Sequence, residues 1–129
     1  HLVVLHDAPN DAELRRLGPF LASHPALVNG ANVQLARQIG PSACRALIWE
    51  RGVGRTAASG TSSCAVAVAS IDRGLVAPGA VTVVMDGGEL LVEVTKALDV
   101  TLRGPVSEVF EGILTPGFLE ALGRPGAGG

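Results

Sequence analysis

Residues 50–72 read ERGVGRTAASGTSSCAVAVASID, and this stretch decides the fold. Its second half carries Ala65, Val66, Ala67, Val68, Ala69 and Ile71 with hardly a polar position between them. Thr61, Ser62 and Ser63 supply N-cap chemistry, and Gly74 closes the element just past Asp72. A helix that is apolar all round is a buried one, and its alanines let neighbouring backbone come close. The first half holds Gly52, Gly54 and Gly60 among Arg51, Arg55 and Thr56, and reads as a loop delivered to the helix start.

Strand signals flank the helix on both sides. Leu2–Leu5 is a short apolar run ending in His-Asp-Ala-Pro. Asp11 opens a helical pattern through Leu14, Leu17 and Leu21, and Gly18-Pro19 predicts that this helix is short or broken. Residues 32–39 put Val33, Leu35 and Arg37 on one face and Gln34, Ala36 and Gln38 on the other. Residues 44–49 follow a Gly-Pro turn, and the short connection predicts an antiparallel hairpin. Beyond Pro78 the pattern is all strand. Residues 80–85 lead into Asp86-Gly87-Gly88, residues 89–96 turn Leu90, Val92 and Val94 inward, and Val100 and Leu102 alternate with polar neighbours. Residues 106–114 read as a last strand. The expected class is α+β: about seven strands, mostly antiparallel, curled in a barrel-like way around one central apolar helix. Residues 1–123 form one domain and residues 124–129 a flexible tail.

Composition narrows the function. The 129 residues are 47% hydrophobic and 17% charged, so the chain has the makings of a packed core. Ten basic residues against twelve acidic give a formal charge of -2, with no clustered basic surface for nucleic acid. No apolar run is long enough to span a membrane. Cys44 and Cys64 are too few for a disulfide framework, and His1, His6 and His24 lack metal-ligand spacing.

Chemistry concentrates in the loop before the apolar helix. Free N–H groups at a helix start, with the positive end of the dipole, form an anion site. Arg51 is suited to clamp a carboxylate in bidentate fashion. An ordinary glycine-rich turn with capping residues fits the same letters. Asn32 reads as a turn cap ahead of a ligand, His1 as a chain-end residue ahead of a site residue, and the two cysteines as small buried apolar side chains.

The loop resembles the signature of diaminopimelate epimerases, in Trp49-Glu50-Arg51-Gly52-Val53-Gly54-Arg55-Thr56, then Ala58-Ser59-Gly60-Thr61 and Cys64-Ala65. His1 with Leu-Val-Val, Asn32-Val33, Gly87-Gly88 with Leu90, Leu102-Arg103-Gly104-Pro105 and Val109-Phe110-Glu111-Gly112 fit as well. The resemblance covers nearly the whole chain and the second half of that enzyme. It implies the C-terminal one of two similar α+β domains with the active site in the cleft between them. The implied reaction is inversion at an amino acid's α-carbon, LL- to meso-diaminopimelate in lysine biosynthesis, without pyridoxal phosphate or metal. One cysteine from each domain takes or returns the proton.

The resemblance further implies substrate binding by Asn32, Glu50, Arg51 and the backbone of Gly60 and Thr61, with His1 and Glu50 assisting the acid and base. Ser59 stands where the family has its second cysteine. An alcohol is a far weaker acid than a thiol, so the serine opens an alternative: a diverged member acting as another isomerase or dehydratase, or an amino-acid-binding module without turnover. The implied partners are a small amino acid and the N-terminal epimerase domain, in the cytoplasm, with a homodimer left open. Nucleic acid and membrane are not expected partners.

Overall fold

The computed structural model describes residues 1–123. In chain order the elements are β1 (Leu2–Leu5), α1 (Asp11–Ala22), β2 (Val33–Gly40), β3 (Ala43–Glu50), β4 (Gly54–Thr56), α2 (Gly60–Asp72), β5 (Gly79–Met85), β6 (Gly88–Val94), β7 (Val100–Arg103) and α3 (Pro116–Leu122). The tail expected at 124–129 lies outside the described residues. None of the described helices is long and apolar enough to cross a membrane.

Seven strands form one mixed sheet in the order β1-β2-β3-β5-β6-β7, with β4 paired to β3 beside this path. Two hairpins are its body. β2 and β3 run antiparallel across the Pro41-Ser42 connection, and β5 and β6 run antiparallel across Asp86-Gly87. They meet at a short parallel ladder, Ala43–Arg45 of β3 against Thr82–Val84 of β5. β1 pairs parallel with β2, the chain crossing over through α1. The sheet does not close on itself; β1 and β7 are its two ends. The α+β class holds, but barrel closure is not reached.

α2 packs against β1, β2, β3, β5, β6 and β7. Six strands at about 4.8 Å spacing span roughly 24 Å, twice the width of a helix. The sheet therefore curls around it. Val66 and Ala67 sit in the main core with Ile48, Val81, Val83, Val92 and Val94. α1 lies on the other face, where Leu14 packs with Leu35 and Leu47. Covered on both sides, residues 33–36 are all buried, including Gln34. One-sided alternation does not describe this strand.

α1 runs unbroken through Gly18-Pro19, contrary to the sequence expectation. Proline disfavours helical backbone in the preceding residue partly through that residue's Cβ, and glycine has none. Packing does the rest. A Cβ on Gly18 would lie 2.6 Å from the Trp49 ring, so the helix seats on β3 only because residue 18 is bare. Leu14, Gly18 and Ala22 form its buried stripe.

Residues 106–114 are not a strand. They form no regular structure, and Val106, Val109, Phe110 and Ile113 are all more than 80% exposed. An apolar sequence alone cannot make a strand without a neighbour to accept its ladder. The helix that follows, α3, begins at a Thr115 cap with Pro116 in its first turn.

Candidate functional site

α2 is not buried all round. Ser62, Ser63, Val66, Ala67 and Ser70 face inward, whereas Cys64, Ala65, Val68 and Ala69 are half-buried. This outer face, with His1, Val3, Thr61 and Leu98, lines an open cavity of about 820 Å³. The serines on the inner side have partners. Ser62 Oγ accepts from Gln34 Nε2 at 3.0 Å, Ser63 Oγ donates to the Gly60 carbonyl at 2.6 Å, and Cys44 Sγ donates to Ser70 Oγ at 3.3 Å.

The helix starts at Ser59, which has extended backbone and accepts the first helical bond from Ser63 N–H at 3.0 Å. Ser59 occupies the N-cap position, but its hydroxyl makes no capping bond. The N–H groups of Gly60, Thr61 and Ser62 have no acceptor among the described residues. A helix start with three such donors carries partial positive charge. Leu102 of β7 covers Gly60 closely: a Cβ there would lie 2.9 Å from Leu102 Cδ2.

The start of β2 and the end of β3 lie side by side next to the first residues of β1. Leu2 N–H donates to the Asn32 carbonyl at 2.8 Å. Asn32 Oδ1 in turn accepts from Arg51 N–H at 2.8 Å. The chain turns back after Glu50, whose carbonyl accepts from Val53 N–H at 3.2 Å; Gly52, at φ 78°, supplies the left-handed residue this tight turn needs. The turn leads into β4, a strand hidden in sequence by its glycines. The Arg51 guanidinium reaches the Asn29 carbonyl. Arg51 and Glu50 do not pair with each other, and the Glu50 carboxylate has no partner among the described residues.

Thus His1, Asn32 and the Glu50-Arg51 turn are joined at neighbouring strand ends. His1 Nδ1 is bonded at 3.0 Å to Gln34 Nε2, which also reaches Ser62 in the first turn of α2. His1 and Thr61 share the cavity wall; Asn32, Glu50, Arg51 and Ser59 do not line it. Gln34 is the residue sequence reading passed over. Its signal was an amide between Val33 and Leu35, in the apolar first half of β2.

A charged brace holds the loop before α2. Asp86 takes both Arg45 and Arg55, and Arg55 also bonds Asp11 at 2.7 Å. Gly87 N–H donates to the Ala57 carbonyl at 2.8 Å. Hydrogen bonds from Arg45, and then Arg55, hold the Asp86 carboxyl below its ordinary value of 3.8. Arg55, and then Arg15, do the same for Asp11. Burial works against the charge of Arg55, but its bonds to Asp11 and Asp86 outweigh burial and raise its pKa. A carboxylate whose folded pKa is lowered stabilises the fold above its unfolded value of 3.8, and that contribution is lost as pH falls through the folded value. Asp86→Asn is expected to cost about 1 kcal/mol or less at neutral pH, because the pair is partly solvated. It should also flatten the loss of thermal stability below about pH 4. Thermal melts of both proteins across this range check it; parallel curves would refute the brace.

Cys64 lies in the cavity wall, one turn into α2, and burial pushes its thiol above the ordinary range. It is a poor proton acceptor and does not stand in for a thiol at position 59. No group of three or more His, Cys, Asp or Glu able to hold a metal occurs among the described residues.

A model of the diaminopimelate epimerase family matches residues 1–109. The diaminopimelate epimerase of Desulforudis audaxviator is 42% identical over 113 residues, 87% of this chain and 40% of that protein. That of Magnetococcus marinus is 40% identical over 102 residues, 79% of this chain and 36% of that protein. That of Bacteroides thetaiotaomicron is 35% identical over 113 residues, 87% of this chain and 42% of that protein. The chain spans about two-fifths of the length of these curated relatives.

Proposed function

The chain belongs to the diaminopimelate epimerase family, and from that premise we propose that it forms the carboxylate-binding half of a two-sided amino-acid site. The observation that carries the reading is the start of α2, where three N–H donors lack acceptors. A substrate carboxylate completes them there. Asn32, Glu50 and Arg51 bind the rest of the amino acid, and His1 and Glu50 assist proton movement. The other half of the site, with the opposing acid or base, comes from a further epimerase domain. The reaction class is cofactor-independent proton removal and return at the α-carbon, in the LL- to meso-diaminopimelate step of cytoplasmic lysine biosynthesis. The barrel-like curl of the family domain is part of the same reading.

A second reading rests on Ser59. Its hydroxyl makes no capping bond and has no hydrogen-bonded base among the described residues, and an alcohol without one is a weak proton donor or acceptor. That favours a domain that binds an amino acid with the proton chemistry at this position changed or lost.

Titration with meso-diaminopimelate, followed by amide NMR, tests the site. The amides of Gly60, Thr61 and Ser62 should shift. Arg51→Ala should weaken binding by about tenfold, the worth of one charge-assisted hydrogen bond. No shift in these amides at tens of millimolar ligand overturns the carboxylate site.

A further inference from the structure

We propose that Gln34 sets which ring nitrogen of His1 carries the proton, holding the neutral imidazole with its hydrogen on Nε2. Gln34 is fully buried on β2, in register with Val3 of β1 and Ile48 of β3 and between the buried Val33 and Leu35. Its amide nitrogen lies 3.0 Å from His1 Nδ1 and 3.0 Å from Ser62 Oγ. A primary amide nitrogen has two hydrogens and no lone pair to offer. Both hydrogens are used, one on each partner. His1 Nδ1 must therefore accept, and in the neutral ring the proton sits on Nε2.

This reverses the more familiar arrangement, in which Nδ1–H donates to a carboxylate or carbonyl and Nε2 is left as the base. Here the protein offers a donor to Nδ1, so Nε2 presents an N–H to whatever meets it. His1 works as a hydrogen-bond donor rather than as a resting base. Protonating the ring would set Nδ1–H against the amide N–H. Gln34 Oε1, buried and without a partner, could meet that proton only if the amide turned over. Gln34 is fully buried between its strand neighbours, which slows such a turn. The part His1 plays in the site rests on the carboxylate-binding reading above; the protonation of its ring does not.

Long-range proton–nitrogen correlation of the histidine rings reads the tautomer directly. The measurement belongs at about pH 8.5, two units above the ordinary imidazole pKa of ~6.5. In the unaltered chain, His1 Nδ1 should show the shift of an unprotonated ring nitrogen and Nε2 that of a protonated one. Gln34→Glu places an acceptor against Nδ1, so the pattern should reverse or the ring should become doubly protonated. His6 and His24 are built-in controls. Their Nδ1 atoms accept from Ala8 N–H at 3.1 Å and Ala26 N–H at 3.2 Å, and their patterns should not change. A merely structural role for Gln34 would not move the proton between the ring nitrogens of His1. A protonated Nδ1 in the unaltered chain overturns the proposal, whether or not the variant folds. So does a folded Gln34→Glu protein whose His1 pattern is unchanged. Failure of meso-diaminopimelate to bind, with the expected His1 pattern intact, would instead count against the carboxylate site alone.

Discussion

Ser59→Cys is expected to give a thiol that alkylates with iodoacetamide at neutral pH at least about tenfold faster than Cys64 in the same molecule. Both positions lie within the first turns of α2, but their surroundings differ in sign. Position 59 is the N-cap, beside three N–H groups without acceptors, where a negative charge meets the positive end of the helix. Thiols at helix starts commonly have pKa values of about 3.5–7.5, against an ordinary value near 8.5. Cys64 is one turn further on, and burial raises its pKa. Cys44 is fully buried and should stay silent in the folded protein. Mass spectrometry of timed samples gives the three rates. Equal rates at positions 59 and 64 would mean that the helix start does not favour an anion, and the carboxylate site would fall with it. A fast new thiol would mean that the site keeps the electrostatics of proton transfer and lacks only the acidic group.

Ile48→Ala should be the most damaging of the single changes considered, costing about 2–5 kcal/mol. Ile48 is fully buried in the centre of the sheet. It pairs with Gln34 of β2 on one side and with Thr56 of β4 on the other. Its side chain shares the main core with Val66 and Ala67 of α2. Truncation removes the apolar volume on which the helix rests, and a sheet held by backbone bonds on both edges has little freedom to collapse into the gap. For a domain of this size, each kcal/mol corresponds to roughly 3–5 °C in midpoint. A fall of about 6–25 °C in a thermal melt is expected. A drop below about 3 °C would show that α2 does not depend on β3 for its seat.

The hairpins were legible in the sequence because each turn is two residues long and carries turn residues, and the second hairpin also alternates. β6 is the clearest case: Val92 and Val94 are buried and Glu89 is exposed, as the alternation requires. The long-range features were not legible. β4 exists only because the end of β3 offers it an edge, and three residues carry no periodicity of their own. α1 survives its proline because Gly18 fits under Trp49, a contact between residues 31 apart in the chain. Residues 106–114 have strand composition and no partner among the described residues. The apolar run of α2 gave its existence but not its orientation. Its serines turn inward because Gln34 and local carbonyls satisfy two of them and Cys44 meets the third, while alanine and valine line the cavity. The motif named the candidate residues along the chain. Register then joined His1, Asn32 and Arg51 at neighbouring strand ends, something spacing alone does not encode.

The parallel ladder between β3 and β5 sets a hierarchy of opening. Seven residue pairs hold each hairpin together, and only three join one hairpin to the other. Each hairpin is thus a cooperative unit, and sub-global opening should part the molecule along the line between them. Side chains of the main core cross that line, Ile48 packing with Val81 and Val83 among them. α2 spans it by packing on both hairpins, and Arg45 and Arg55 cross it to reach Asp86. The loop that delivers Ser59 to the helix is held from the far side, through Gly87 on Ala57. Amide hydrogens on Gly60, Thr61 and Ser62 should therefore report two events at once. Their exchange follows the separation of the hairpins as much as local fraying, and the order of the candidate site is set by how firmly the two hairpins stay joined.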